Sequence, residues 1–226
     1  RIDRPDADFD VAMSALQDRF GNSLAPVTIP MGSGEAFRGI IDVVHMKARH
    51  LESGKPVVED VPAEFAEAAE AARAQLTELV VEADDEVMMK YLEGEEVTQD
   101  ELEGLLAKAI RDRVFVPVFA GSCVREEGVI SFMDAAVAWF PTMADFGRIP
   151  LVNGEQLDIS EDDERPVVFA FKSLNDPQNG RLSFLKVLAG TVTPGMELTN
   201  ARTRKSERLG HLYQMCGKET TDVQSA

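Results

Sequence analysis

Apolar residues recur at Phe9, Ala12, Met13, Leu16 and Phe20, the spacing of a helix that follows Asp8 and stops at Gly21. Three short strands are predicted next, Ala25 to Pro30, Phe37 to Asp42 and Val43 to Arg49. Turns are predicted at Gly32-Ser33-Gly34 and Ser53-Gly54-Lys55-Pro56. The period then lengthens. Asp60-Val61-Pro62 opens a helix, because proline is tolerated in a first turn. Phe65, Ala69, Ala72, Leu76, Leu79, Ala83, Val87 and Tyr91 continue it as one apolar stripe to Glu93-Gly94, opposite a face rich in Glu and Asp. Thr98-Gln99-Asp100-Glu101 is a capping box, and the helix it starts carries Leu102, Leu105, Leu106, Ala109 and Ile110.

A buried-type strand, Val114 to Phe119, runs into the tight loop Ala120-Gly121-Ser122-Cys123. Gly128 then introduces a helix with Val129, Phe132, Met133, Ala136, Val137 and Phe140 on one side, stopped by Pro141. Strand, glycine-containing loop and helix in succession are α/β grammar. From Thr142 to Arg165 the chain turns polar and acidic, with Ser160-Glu161-Asp162-Asp163-Glu164 the densest run, and reads as a linker. From Pro166 onward it reads as all-β. Val167 to Lys172 and Leu182 to Leu188 flank the turn-rich Asn175 to Gly180, and Gly190, Pro194-Gly195 and Asn200 punctuate further strands of an incomplete small barrel.

The length of 226 residues has room for two domains, and 44% apolar with 28% charged residues suits a folded protein rather than a disordered one. With 23 basic and 40 acidic residues the net charge is −17, which argues against general binding of nucleic acid by the whole surface. It favours a partner with a basic face. Cys123 and Cys216 form no CxxC pair and read as reduced thiols, and His45, His50 and His211 match no zinc spacing. No apolar run is long enough for a membrane span.

Asp6-x-Asp8-x-Asp10 resembles half of a calcium loop, but Val11 stands where glycine is needed and Gln17 where the bidentate acid is needed. The acids read instead as helix-start charges. Gly121-Ser122-Cys123 follows a strand, where open α/β sheets bind ligands, or is a plain β–α turn. Cys123 has no visible base to make it a nucleophile. No P-loop, HExxH or GxSxG occurs.

The order of these parts resembles the elongation factor G family of translational GTPases along nearly the whole chain. Arg1-Ile2-Asp3-Arg4 resembles the tail of that family's guanine-reading Asn-Lys-x-Asp motif, with Arg1 where Lys is usual. Gly121-Ser122-Cys123 resembles its Gly-Ser-Ala motif. Phe37-Arg38-Gly39-Ile40-Ile41-Asp42-Val43, Met88-Met89-Lys90-Tyr91-Leu92 and Gly94-Glu95-Glu96 resemble the subdomain inserted between the two motifs. Ala170-Phe171-Lys172, Asp176-Pro177, Leu182-Ser183-Phe184, Gly190-Thr191 and Pro194-Gly195 resemble the second domain. Glu207-Arg208-Leu209-Gly210 continues that match, and Gly217-Lys218-Glu219 is closer to the elongation-factor-G-like paralogous branch.

The resemblance implies a fold of α/β plus all-β. Residues 1–30 and 114–141 would be the C-terminal part of a P-loop GTPase domain, 31–113 its inserted α/β subdomain, 142–165 a linker and 166–226 a partial β-barrel. It implies that Arg1, Asp3, Ser122 and Cys123 contact guanine nucleotide, Asp3 through the base N1 and N2 hydrogens and the loop through a backbone N–H to O6. Arg181, Lys186, Arg202, Arg204, Lys205 and Arg208 would form a basic cluster for small-subunit ribosomal RNA, and the insert would meet the ribosomal stalk. The parent protein would be a cytoplasmic GTPase using GTP or GDP with Mg, with no DNA or membrane partner. The P-loop, switches and magnesium ligands would precede Arg1, so the chain alone is expected to be inactive and to bind no nucleotide appreciably.

Two alternatives remain at this point: a ribosome-protection GTPase of the tetracycline-resistance type, and a non-catalytic acidic interaction module. An incomplete barrel would expose strand edges, so dimerisation or partial disorder after about Glu207 is expected.

Overall fold

The computed structural model describes residues 1–142, 145–151, 154–159, 165–176, 180–217 and 219–226. It divides into two compact units, Arg1–Pro141 and Thr142–Ala226. The acidic run 160–164, the turn residues 177–179 and Lys218 lie outside the described residues.

In the first unit, α1 (Phe9–Phe20) starts where the Asp8 carboxylate accepts from Val11 N at 3.0 Å and ends at Gly21 in a positive-φ conformation. The run expected as one strand from Ala25 to Pro30 is two, β1 (Leu24–Pro26) and β2 (Thr28–Pro30). Val27 is the hinge between them. Its N–H donates to Val118 O at 2.9 Å and its carbonyl accepts from Val43 N at 3.0 Å, so the chain changes sheets there.

β2 pairs antiparallel with β3 (Ile40–Asp42), which pairs with β4 (Lys47–Glu52), which pairs with β5 (Lys55–Asp60). Residues 43–46, expected as strand, are a turn, because both Val44 N and His45 N donate to Asp42 Oδ1 at 3.1 and 3.0 Å. Ser53 and Gly54, both at positive φ, make the tight β4–β5 hairpin.

The stripe expected as one helix from Pro62 to Glu93 is broken into α2 (Ala66–Val81) and α3 (Asp85–Leu92), after a short 3₁₀ turn at Ala63–Phe65. Asp84 is the cause. Its side chain caps α3 by accepting from Glu86 N and Val87 N, which requires an extended backbone at that point. The capping box of α4 (Gln99–Arg111) forms as expected, with both reciprocal bonds between Thr98 and Glu101.

β6 (Val116–Val118) pairs parallel with β1. α5 (Val129–Trp139) follows, but it buries Ala135 and Trp139 rather than the face predicted. Met133 and Val137 are 60% and 89% exposed. One core joins Ala25, Val27 and Ile41 to Leu76 and Val80 of α2, Leu102 and Leu106 of α4, and Trp139. A second, smaller cluster packs Ile2 on Phe37 and Ile40.

Among its described residues, the strands of the second unit pair antiparallel. Its hairpins are β7 (Arg148–Pro150) with β8 (Gln156–Asp158), β9 (Val167–Asp176) with β10 (Gly180–Ala189), β11 (Glu197–Thr199) with β12 (Ser206–Arg208), and β13 (Leu212–Cys216) with β14 (Glu219–Val223). The stretch expected as a linker thus contains a hairpin. Among the described residues the ladders stay separate rather than forming one barrel sheet. Val192 and Ala226 also pair, through Val192 N to Ala226 O at 2.9 Å and Ala226 N to Val192 O at 3.0 Å.

Candidate guanine-reading site

The loop after β6 is held from below by Thr28, a buried residue of β2. Its Oγ1 accepts from Ala120 N at 2.7 Å and donates to Ala120 O at 3.3 Å. Gly121 lies so close to the returning chain that a Cβ there would sit 2.7 Å from Glu127 O. Ser122 N donates to Glu127 O at 2.9 Å, closing a tight excursion over residues 122–127. Arg125 N donates to Ser122 Oγ at 3.2 Å inside it.

The first three residues meet this loop. Ile2 N donates to Gly121 O at 3.4 Å, and Ile2 O accepts from Gly34 N at 2.8 Å, which sets Asp3 beside Ser122. Ser122, itself buried, is the main reason that the Asp3 carboxyl is held below the ordinary carboxylate range. The backbone at Asp3 and the positive charges at Arg1 lower it further, against an opposing effect of burial. Asp3 Oδ1 is nevertheless buried with no hydrogen-bond partner among the described residues. Two segments 118 or more residues apart in sequence are thus assembled at the carboxyl end of a parallel strand, around an acceptor that lacks a donor.

Arg1 and Cys123 are exposed at the rim. The acids after Asp3 have structural uses: Asp6 pairs with Arg4 at 3.0 Å, and Asp8 caps α1. Two residues of the loop itself that sequence reasoning missed tie it to the rest of the unit. Arg125 Nη1 donates to Phe37 O at 2.6 Å, and buried Glu127 accepts from Leu51 N at 2.9 Å. Neither belongs to a local motif, and their partners are 88 and 76 residues away.

The six basic residues expected to form one cluster in the second unit are divided between two hairpins. Arg202, Arg204 and Lys205 occupy the β11–β12 loop, shaped by Asn200 Oδ1 accepting from Arg202 N and Thr203 N at 3.0 and 3.1 Å. Arg208 Nε turns to Gly195 O at 3.3 Å. Arg181 and Lys186 are on β10, opposite Asn175 and Phe169. Lys172, not singled out from sequence, lies over the Phe184 ring at 5.5 Å, beside Phe171 and near the cross-strand pair of Lys186 with Phe169.

Residues 166–226 match the family model for elongation factor G domain 2. Over 97% of its length the chain resembles, with a TM-score of 0.76 and 30% identity, a crystal structure of a protein from Thermus thermophilus. The chain spans 31% of that protein's length. Residues 166–226 thus belong to the elongation factor G family as its second domain.

Proposed function

We propose that this chain is part of a translational GTPase and that Asp3, with the Gly121-Ser122-Cys123 loop, reads the guanine base of GTP or GDP. The observation that carries this is the buried, donorless Oδ1 of a carboxylate that its neighbours keep ionised. Guanine offers two coplanar donors, N1–H and the 2-amino group, which match one carboxylate in a charge-assisted pair. Ser122 N is already committed to Glu127 O, whereas Cys123 N–H donates to no group among the described residues and is left for the base O6. A backbone donor is indifferent to the side chain it carries, so cysteine serves where alanine is usual. Arg1 supplies a guanidinium plane to lie over the base.

None of the 226 residues matches a phosphate-binding P-loop, so the phosphate and Mg²⁺ contacts are assigned to no residue here. The chain by itself then neither hydrolyses GTP nor binds it appreciably. The complete protein would couple GTP hydrolysis to a translocation-type step on the ribosome, in the cytoplasm. Residues 1–30 with 114–141 would serve the nucleotide, 31–113 would meet the ribosomal stalk through the acidic helices, and 166–226 would meet small-subunit RNA. For that last contact the β11–β12 loop supplies the charge, and Lys172 and Lys186 with their phenylalanines supply a face on which RNA can stack.

The test is Asp3→Asn in the complete gene product. It replaces one acceptor by a donor, so GDP affinity should fall at least about a hundredfold. Xanthosine diphosphate, which carries a carbonyl in place of the 2-amino group, should gain. Equal GDP affinity in wild type and variant would remove Asp3 from the site.

A further inference from the structure

We propose that Arg125 and Glu127 are positioning residues that lock the guanine-reading loop to the β2–β5 sheet, so that base affinity depends on this sheet. The inference rests on the guanine-site reading above and extends it to residues outside either motif.

Three hydrogen bonds cross between the site and residues 31–60. Gly34 N donates to Ile2 O at 2.8 Å, next to Asp3. Arg125 Nη1 donates to Phe37 O at 2.6 Å, while its own N–H holds Ser122 Oγ. Glu127 Oε1 accepts from Leu51 N in β4, while its carbonyl holds Ser122 N. Arg125 and Glu127 therefore each bond the loop with the main chain, while the Arg125 side chain reaches the β2–β3 connection and the Glu127 side chain reaches β4. Glu127 is only 8% exposed, a costly place for a carboxylate unless its bonds are needed.

The loop has little slack of its own. Glu126 sits at positive φ, and a Cβ at Gly128 would lie 2.7 Å from Ala120 O. Phe37, whose carbonyl Arg125 grips, also packs on Ile2. The residue Arg125 holds thus also supports the segment that carries Asp3. Movement of the β2–β5 sheet would shift both halves of the base site together, which makes anything engaging that sheet a modulator of guanine release.

The test uses the complete gene product loaded with a fluorescent GDP. Arg125→Met keeps the stem and removes the donors, and it should speed GDP release up to about tenfold. It should also narrow the preference for GDP over IDP, which lacks the 2-amino group that Asp3 reads. Arg125→Lys, which restores a charged donor, should recover part of both. Glu127→Leu leaves Leu51 N–H unpaired and should act in the same direction as Arg125→Met. A lowered melting temperature with unchanged GDP release and unchanged GDP/IDP preference means these residues only stabilise the fold, and overturns the proposal. If the wild type itself takes up no GDP, the guanine-site reading has failed and this inference fails with it.

Discussion

Thr28 and Ala120 are joined by a two-way hydrogen bond, hydroxyl to both N–H and C=O of one residue, across 92 positions of sequence. This bond fixes where the chain leaves β6 and so where Ser122 stands relative to Asp3. Thr28→Val keeps the shape and removes both partners, leaving the Ala120 amide buried and unpaired. The expected cost is about 1–3 kcal/mol in urea denaturation. A variant as stable as the wild type would show that water or a shifted backbone replaces the hydroxyl.

Gly121 is required by space rather than by backbone conformation, since only its missing Cβ allows Glu127 O to come so close. Gly121→Ala must push the two strands of the loop apart. Guanine nucleotide binding by the complete protein should fall by more than about tenfold with secondary structure retained. Isothermal titration together with circular dichroism measures both, and unaltered affinity would mean that the loop does not touch the base.

The elements that could be read from sequence are those whose cause is local. The Thr98–Glu101 box carries its own reciprocal bonds, and the Gly21 stop needs nothing beyond its neighbours. The break in the long stripe was hidden because Ala83 and Val87 face the same core on either side of it, so the apolar period never falters. Only Asp84, a good cap placed inside an acidic run, marks it. The division of residues 24–30 between two sheets was equally invisible, since Val27 is buried like its neighbours. α5 misled because apolar residues surround it on nearly every side. At the site, Asp3 and Ser122 could be named through resemblance, while Arg125 and Glu127 act through partners too distant for any motif.

Acidification should release the cap of α3. Lys108, at 2.7 Å, and the helix amides hold Asp84 below the usual carboxylate range in the folded state. A lowered folded value means that the contribution is complete above the ordinary carboxylate pKa and is lost as pH falls through the folded one. Urea midpoints should therefore decline for the wild type below about pH 4. Asp84→Asn, which keeps a capping oxygen but cannot ionise, should start lower and decline less. Parallel curves for the two proteins would exclude Asp84 as a source of the acid dependence.

For the second unit, each lysine or arginine that meets a phosphate should contribute close to one ion to the salt dependence of RNA binding. Lys205→Ala in the β11–β12 loop should lower the slope of log K against log salt by about 1. Filter binding to ribosomal RNA over a salt series reads this directly. An unchanged slope would place the loop away from the RNA.

The central claim is that Asp3 and the Ser122 loop are the base-reading part of a nucleotide site completed by other residues of the protein. The most direct measurement is a fluorescent-GDP titration of the complete gene product beside the 226-residue chain. Saturable binding by the complete product, displaced by GTP and absent from the chain alone, is the predicted result. Failure of the complete product to bind GDP would contradict the account.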